Sequence, residues 1–426
     1  MKLPKSFFLM VLILILTCKN PEAMKLGTNF WNIGWGIRND MFQANPVFAE
    51  GQNPWNPTML REVGIHKVIR TMDWTPTNNV DAVSWADREP IKGTQSARVA
   101  WEWHIDLANR LGADLWITTP TMADDAYLAE LAKLMKARLD SGRKLYIEWS
   151  NETWNYGFPQ AGYCATAGAA LGLPGDKYQK GFGYHSIGAL RVWKAFLTVY
   201  GTDSHRLVKV LAGQSGNDWL AGVHLEILDD AKYNPTGIMP DVYTTAPYIG
   251  HENDGLDPNL WTTLRSQLPK LTADNRKIRV RMQARKIGFV AYEGGQHIAN
   301  YATDAGAHSD VANRDQRMYP FYMEYLDSMA TLYTVFVHYL HSGTAGPKGS
   351  WGSLEHTGQP LAEAPKYRAL KDWTTAHPDA SGNAIRISDG GPAYLPRSGS
   401  EIVDLLGRIF RRNPSGFAID FSPPPK

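Results

Sequence analysis

The chain has 426 residues, with 44 Lys and Arg against 42 Asp and Glu for a net charge of +2. That near-neutral balance, with no long basic run, excludes the electrostatic footprint of a nucleic-acid binder and suits an uncharged partner. Two cysteines, Cys18 and Cys164, are too few for a disulfide framework and lack metal-ligand spacing, while 15 Trp and 19 Tyr supply rings for stacking as well as for core.

Taken in chain order, Lys2 and Lys5 precede an apolar run over residues 7–16, too short to cross a bilayer but suited to the core of a signal segment. Residues 1–23 are therefore expected to be a signal peptide, directing the protein to the cell envelope or the exterior without a membrane span. Cys18 offers a lipid-anchor alternative to plain secretion.

From residue 24 onward, short β-branched or aromatic runs alternate with longer amphipathic stretches, as βα units around a parallel sheet require. Strands are expected at 26–31, 66–72, 113–119, 144–150, 206–212, 241–246, 286–292 and 333–339. Helical periodicity between them is clearest at 126–139, where Leu128, Leu131, Leu134, Met135 and Leu139 share one face, and recurs at 185–199 and 316–330. With a last helix near 364–373 and no Gly-rich phosphate turn after the first strand, the pattern predicts an α/β fold, a closed (β/α)8 TIM barrel over residues 24–377. Residues 378–426, rich in Gly, Ser, Pro and Arg, form an appendage with one short helix expected at 401–411.

Active sites of such barrels gather at the C-terminal ends of the strands. The run at 144–155, K-L-Y-I-E-W-S-N-E-T-W-N, puts Asn151 and Glu152 just past the fourth strand, and the run at 288–297, G-F-V-A-Y-E-G-G-Q-H, puts Glu293 at the end of the seventh. Glycosidic cleavage needs a proton donor for the leaving oxygen and a carboxylate for the anomeric carbon, so two acids at one barrel mouth suit it. Glu152, its pKa raised by burial and by the second carboxylate, is expected to be the general acid/base, and Glu293 the nucleophile. Glu148, inside the fourth strand, is expected to be buried and hydrogen-bonded rather than catalytic.

On these residues the sequence resembles clan A of the glycoside hydrolases, retaining (β/α)8 barrels with an Asn-Glu pair after strand four and a nucleophilic Glu after strand seven. The resemblance spans most of residues 25–375 and singles out no one family of the clan. It implies that Asn151 contacts the sugar 2-hydroxyl, that Arg70 keeps the nucleophile ionised and that Tyr248 touches Glu293. It also implies an aromatic platform near strand eight, for which Trp351 is the nearest candidate although it lies beyond the strand. His297, Trp154, Trp31 and Trp74 are further candidate substrate contacts, and Trp35 and Trp55 share the early loops. Of Trp149 and Trp154, one is expected to pack and the other to stack on sugar.

No cofactor is expected. His297, His338, His341 and His356 form too loose a set for a zinc-hydrolase pattern. Asn151-Glu152-Thr153 matches an N-glycosylation triplet, but a glycan there would plug the cleft. The expected activity is retaining hydrolysis of β-glycosidic bonds in a poly- or oligosaccharide. The alternative is a non-catalytic carbohydrate-binding surface protein on the same barrel.

Overall fold

The computed structural model describes residues 24–30, 41, 53–72, 74–91 and 98–378, together with the backbone of three short strands between 401 and 419. Eight parallel strands close into a barrel. They are β1 (Lys25–Asn29), β2 (Val68–Arg70), β3 (Asp114–Thr119), β4 (Leu145–Trp149), β5 (Leu207–Ala212), β6 (Val242–Thr245), β7 (Gly288–Ala291) and β8 (Val335–His338). β2 to β8 each lie within a stretch expected from sequence, and β1 overlaps the expected 26–31 but starts one residue earlier. The cylinder is sealed by β1 against β8, with Leu26 opposite Phe336 and Thr28 opposite His338.

The helices between the strands are α1 (Pro57–Val63), α2 (Trp101–Leu111), α3 (Asp125–Arg138), α4 (Pro159–Ala170), α5 (Lys177–Tyr200), α6 (Asp218–Asp229), α7 (Leu260–Gln283), α8 (Ser309–Arg314) and α9 (Met318–Ala330), with α10 (Pro365–Ala376) after the last strand. Several starts are written in the sequence. The Asp124 carboxylate accepts from the Tyr127 amide at the head of α3, and Asp176 with Gln179 forms a reciprocal cap on α5. None of the helices among the described residues is long and apolar enough to cross a membrane.

Strand alternation sorts the side chains into two layers. Ile69, Leu115, Ile117, Leu145, Ile147, Leu211, Phe289 and Phe336 face the helices in one large core. Val68, Trp116, Tyr146, Val210, Val290, Tyr292, Val335 and Val337 fill the barrel interior, where the Trp116 and Tyr146 rings stack at 5.1 Å. The interior is thus packed, and the polar residues at the strand ends sit on a rigid floor.

The helix expected at 401–411 is not formed. Glu401–Val403, Ile409–Asn413 and Gly416–Ile419 pair as an antiparallel sheet. The β-branched and aromatic residues there favour strands, and the sequence Asn-Pro-Ser-Gly at 413–416 consists of turn-favouring residue types, which outweighs the helical spacing. The expected signal segment and Cys18 lie outside the described residues.

Candidate active site

At the C-terminal mouth of the barrel, one guanidinium organises three strands. Arg70, the last residue of β2, is fully buried. Its Nε and Nη2 donate to the two Glu148 oxygens at 3.1 Å each, its Nη1 donates to Glu293 Oε1 at 2.7 Å and its Nη2 also donates to Asn151 Oδ1 at 3.0 Å. Trp116 Nε1 donates to Glu148 Oε2 at 2.7 Å, so Glu148 is buried and hydrogen-bonded as strand alternation predicts. The Arg70 guanidinium also lies 4.9 Å from the centre of the Tyr292 ring. A planar fork with five N–H groups can hold this many acceptors at once, which a lysine cannot.

Glu293, directly after Tyr292 beyond β7, accepts from three donors. Besides Arg70 these are Asn29 Nδ2, from the end of β1, at 3.0 Å to Oε1 and the Tyr248 hydroxyl at 2.9 Å to Oε2. The chain then turns at Gly294 and Gly295. A Cβ on Gly294 would stand 2.7 Å from the Phe336 ring, and Gly295 has φ of +135°, so neither position accommodates a larger residue in place.

Glu152 has a different setting. Its Oε1 accepts from the Tyr292 hydroxyl at 2.9 Å and its Oε2 from Asn155 Nδ2 at 2.9 Å. The turn carrying it is strained, with φ of +58° at Ser150 and +40° at Glu152, a region that non-glycine residues seldom occupy. Its neighbours are pinned: the Ser150 and Thr121 hydroxyls meet at 2.8 Å, Asn151 Nδ2 donates to Asn78 Oδ1 at 3.0 Å and Gln160 Nε2 donates to the Asn151 carbonyl at 2.7 Å.

Burial raises the pKa of both carboxyls, and at Glu293 the nearby Glu152 charge adds to the rise while Arg70 opposes it. The donors decide where the pair's proton stays. Glu293 is held by a full positive charge and two neutral donors, Glu152 by two neutral donors alone. This difference in donors favours the ionised form at Glu293 more than at Glu152.

Next to Tyr248 stands an aromatic group. His297 packs against Tyr248 at 5.4 Å and stacks on His251 at 4.3 Å, and the Trp351 indole N–H donates to His297 Nδ1 at 3.2 Å. Burial lowers the His297 pKa to about 4, so its ring is neutral. Tyr301, largely exposed, lies nearly parallel to Trp351 with centroids 6.2 Å apart. Trp351 is held through the preceding carbonyl, that of Ser350, which accepts from Gln296 Nε2 and, at 2.7 Å, from buried Lys366 Nζ. At the end of β8 itself the aromatic residue is Tyr339, edge-on to Tyr248 at 6.1 Å.

Burial lowers the Lys366 pKa to about 7, so between pH 7 and the ordinary lysine value the unfolded chain binds more protons than the folded one. Wild type is accordingly expected to gain stability relative to Lys366→Met as pH rises from about 7 to 10. Paired urea titrations across that range check it, and a constant difference would contradict it.

Trp74 requires correction. It is 1% exposed, stacked on Trp55 at 6.1 Å and packed against Phe30 and His104, while the Trp55 indole donates to Asp106 Oδ2 at 2.7 Å. These two rings pin the early loops from beneath and offer no face to a substrate. Trp74→Ala is expected to cost about 3–5 kcal/mol of stability, the usual range for emptying a buried Trp site. Chemical denaturation measures it, and a loss of substrate affinity with unchanged stability would restore a binding role.

Trp31 and Trp35 lie outside the described residues. Trp149 is buried and donates to the Thr121 carbonyl at 3.2 Å, whereas Trp154 is half-buried against Phe182, Leu220 and Val223. Asn151 is 2% exposed with both ends of its amide engaged, so the glycosylation triplet is closed to a glycan. His338 is buried against the Tyr322 hydroxyl at 3.2 Å, and among the described residues no group of three His, Cys, Asp or Glu side chains is arranged to hold a metal ion.

Sequence reasoning missed Asn29, Asn78, Asn155, Gln160 and Tyr292. Asn29 and Tyr292 carried a usable signal, since each sits at the C-terminal end of a barrel strand and points inward by alternation. Asn78 and Gln160 come from loop and helix positions that no spacing marks.

No protein-family model matches the chain, and no curated protein matches it in sequence. Among solved structures, the chain is similar to the GH51 arabinofuranosidase from Xanthomonas axonopodis pv. citri, with a TM-score of 0.52 and 14% identity over 92% of this chain and 82% of that one. It is also similar to the GH51 alpha-L-arabinofuranosidase from Thermotoga petrophila RKU-1, with a TM-score of 0.50 and 12% identity over 82% and 70%. At these identities the likeness shows a shared barrel fold.

Proposed function

We propose that the protein is an exported retaining glycoside hydrolase that cleaves β-glycosidic bonds of a poly- or oligosaccharide by double displacement. The observation that carries this is the unequal treatment of two carboxyls at one barrel mouth: Glu293 held by Arg70, Asn29 and Tyr248, Glu152 by Tyr292 and Asn155 alone. In the first step Glu293 attacks the anomeric carbon while Glu152 gives its proton to the departing glycosidic oxygen, leaving a glycosyl ester on Glu293. In the second, Glu152 takes a proton from water, which attacks the same carbon and frees Glu293. Asn151, fixed by Arg70 and Asn78, is the candidate contact to the 2-hydroxyl, and the His297, Trp351 and Tyr301 group forms the candidate sugar-facing wall.

Because the first step needs Glu152 protonated, kcat/KM falls as pH rises through the Glu152 ionisation, and Glu152→Gln should lose that alkaline limb. The same variant is expected to be about 100- to 10,000-fold slower on glycosides with poor leaving groups and far less affected on activated aryl glycosides. An alkaline limb that persists in this variant would remove Glu152 from the acid role.

Hydrolysis of a polysaccharide panel, with the first-formed anomer followed by NMR, tests the whole proposal. The two similar solved structures are arabinofuranosidases, so α-L-arabinofuranosides belong in the panel beside β-linked glucans, mannans and xylans. Inverted product would overturn double displacement. Glycan binding without hydrolysis would favour the non-catalytic alternative.

A further inference from the structure

The strained turn that carries Glu152 is fixed on its far side by a residue from outside the strand ends. Thr153, directly after Glu152, is buried, and its hydroxyl meets His185 Nδ1 at 2.8 Å. His185 lies on α5, itself clamped to the barrel wall: a Cβ on Gly188 would fall 2.3 Å from the Trp149 ring, so this helix approaches β4 more closely than any larger residue permits. The His185 ring packs on Trp149 at 5.6 Å and stacks on His224 at 5.0 Å, and His224 Nδ1 in turn meets the Tyr243 hydroxyl of β6 at 3.2 Å. Burial drives both histidines far toward the neutral form, His185 to about 3, so the contact is a fixed dipolar bond throughout the working pH range.

Of the residues from 150 to 153, Ser150 is tied to β3–α3 through Thr121, Asn151 to Arg70 and Asn78, and Thr153 to His185. Only Glu152 is left with its carboxyl toward the site. Its left-handed backbone must be enforced by those neighbours, because the conformation is intrinsically unfavourable for a residue with a side chain.

We propose that His185, acting through the Thr153 hydroxyl, is a positioning residue that sets the direction from which Glu152 delivers and recovers its proton. The proposal rests on the acid/base role assigned above to Glu152. Loss of the bond lets the turn relax and moves the carboxyl away from the leaving oxygen, while the nucleophile, held by Arg70, Asn29 and Tyr248, stays in place. Displacements on the scale of 1 Å cost about 100-fold in such steps.

The test compares kcat/KM on the phenyl and dinitrophenyl glycosides of the sugar that the parent cleaves fastest, for parent, E152Q, Thr153→Val, His185→Phe and His185→Asn. Thr153→Val and His185→Phe are each expected to lose about 10- to 100-fold on the phenyl glycoside and under about 3-fold on the dinitrophenyl one, whose leaving group needs no proton. The double variant should lose no more than either single one. His185→Asn, whose amide oxygen can take the place of Nδ1, should recover most of the loss. If His185→Phe fails to fold, the nearly isosteric Thr153→Val carries the same comparison. A parent that cleaves neither glycoside, or an E152Q variant that slows both equally, removes the acid/base role and this proposal with it. If E152Q discriminates between the leaving groups while Thr153→Val and His185→Phe slow both equally or neither, the acid/base role stands and the positioning role is overturned.

Discussion

Arg70→Ala is expected to destabilise the fold by about 3–5 kcal/mol near neutral pH and to abolish measurable turnover. The guanidinium is fully buried and pairs with Glu148 at 3.1 Å and Glu293 at 2.7 Å, so its removal strands two carboxylates with little solvent to replace it. They can escape only by taking up protons. Burial already raises the Glu148 pKa with Arg70 present, and its removal raises it further. A carboxyl whose pKa is higher folded than unfolded contributes stability at low pH that is lost as pH rises through the folded value. The variant should thus lie closest to wild type near pH 4 to 5 and fall away from it toward neutrality, which urea titrations at several pH values would reveal. A penalty independent of pH would mean that the two carboxyls are not the groups left uncompensated. Arg70→Lys should rescue only part, because one ammonium cannot reproduce the fork that spans Glu148, Glu293 and Asn151.

Glu293→Gln is expected to lower kcat by at least about 10,000-fold, as removal of a covalent nucleophile does, while leaving the melting temperature within a few degrees. The amide oxygen can still receive hydrogen bonds from Asn29 and Arg70, its NH2 can donate to the Tyr248 hydroxyl oxygen, and Arg70 keeps Glu148 as its counter-ion. The sharper check is chemical: Glu293→Gly or Ala with added azide should regain turnover by releasing a glycosyl azide of inverted configuration, since the anion attacks from the vacated side. If azide rescues the Glu152 variant in this way instead, the two roles are exchanged.

How much of this was legible before the fold was known depended on the kind of signal. The eight strands were found because each is a short β-branched or aromatic run in a chain whose intervening segments repeat every three to four residues, and burial on both faces makes such runs dense. Glu152, Glu293 and Asn151 stood out because they lie at or just past strand ends, where barrel geometry directs residues into the mouth, and Arg70 was implied by the resemblance to clan A. His297 followed from its place four residues past Glu293, whereas Tyr248 was implied by the resemblance to clan A. The placement of Trp74 did not follow, because an aromatic residue in a loop has the same local sequence whether it faces solvent or, as here, another buried ring. His185 was invisible for a related reason: it is one polar residue on a long amphipathic helix, and only the close approach of α5 to Trp149 gives it a role. The stretch after residue 400 shows the opposite failure, where apolar spacing compatible with a helix met a turn sequence that favours antiparallel pairing.

The closure of β1 on β8 has a consequence for how the protein is made. Glu293 draws its ligands from residues as early as Asn29, and β1 finds its second neighbour only in Val335–His338. A chain emerging from the ribosome therefore carries two open sheet edges until nearly the whole cylinder has been synthesised, and open edges invite pairing with other chains. Truncations before Val335 should yield sticky, inactive fragments, so competence for chemistry arrives as a single late event in biosynthesis.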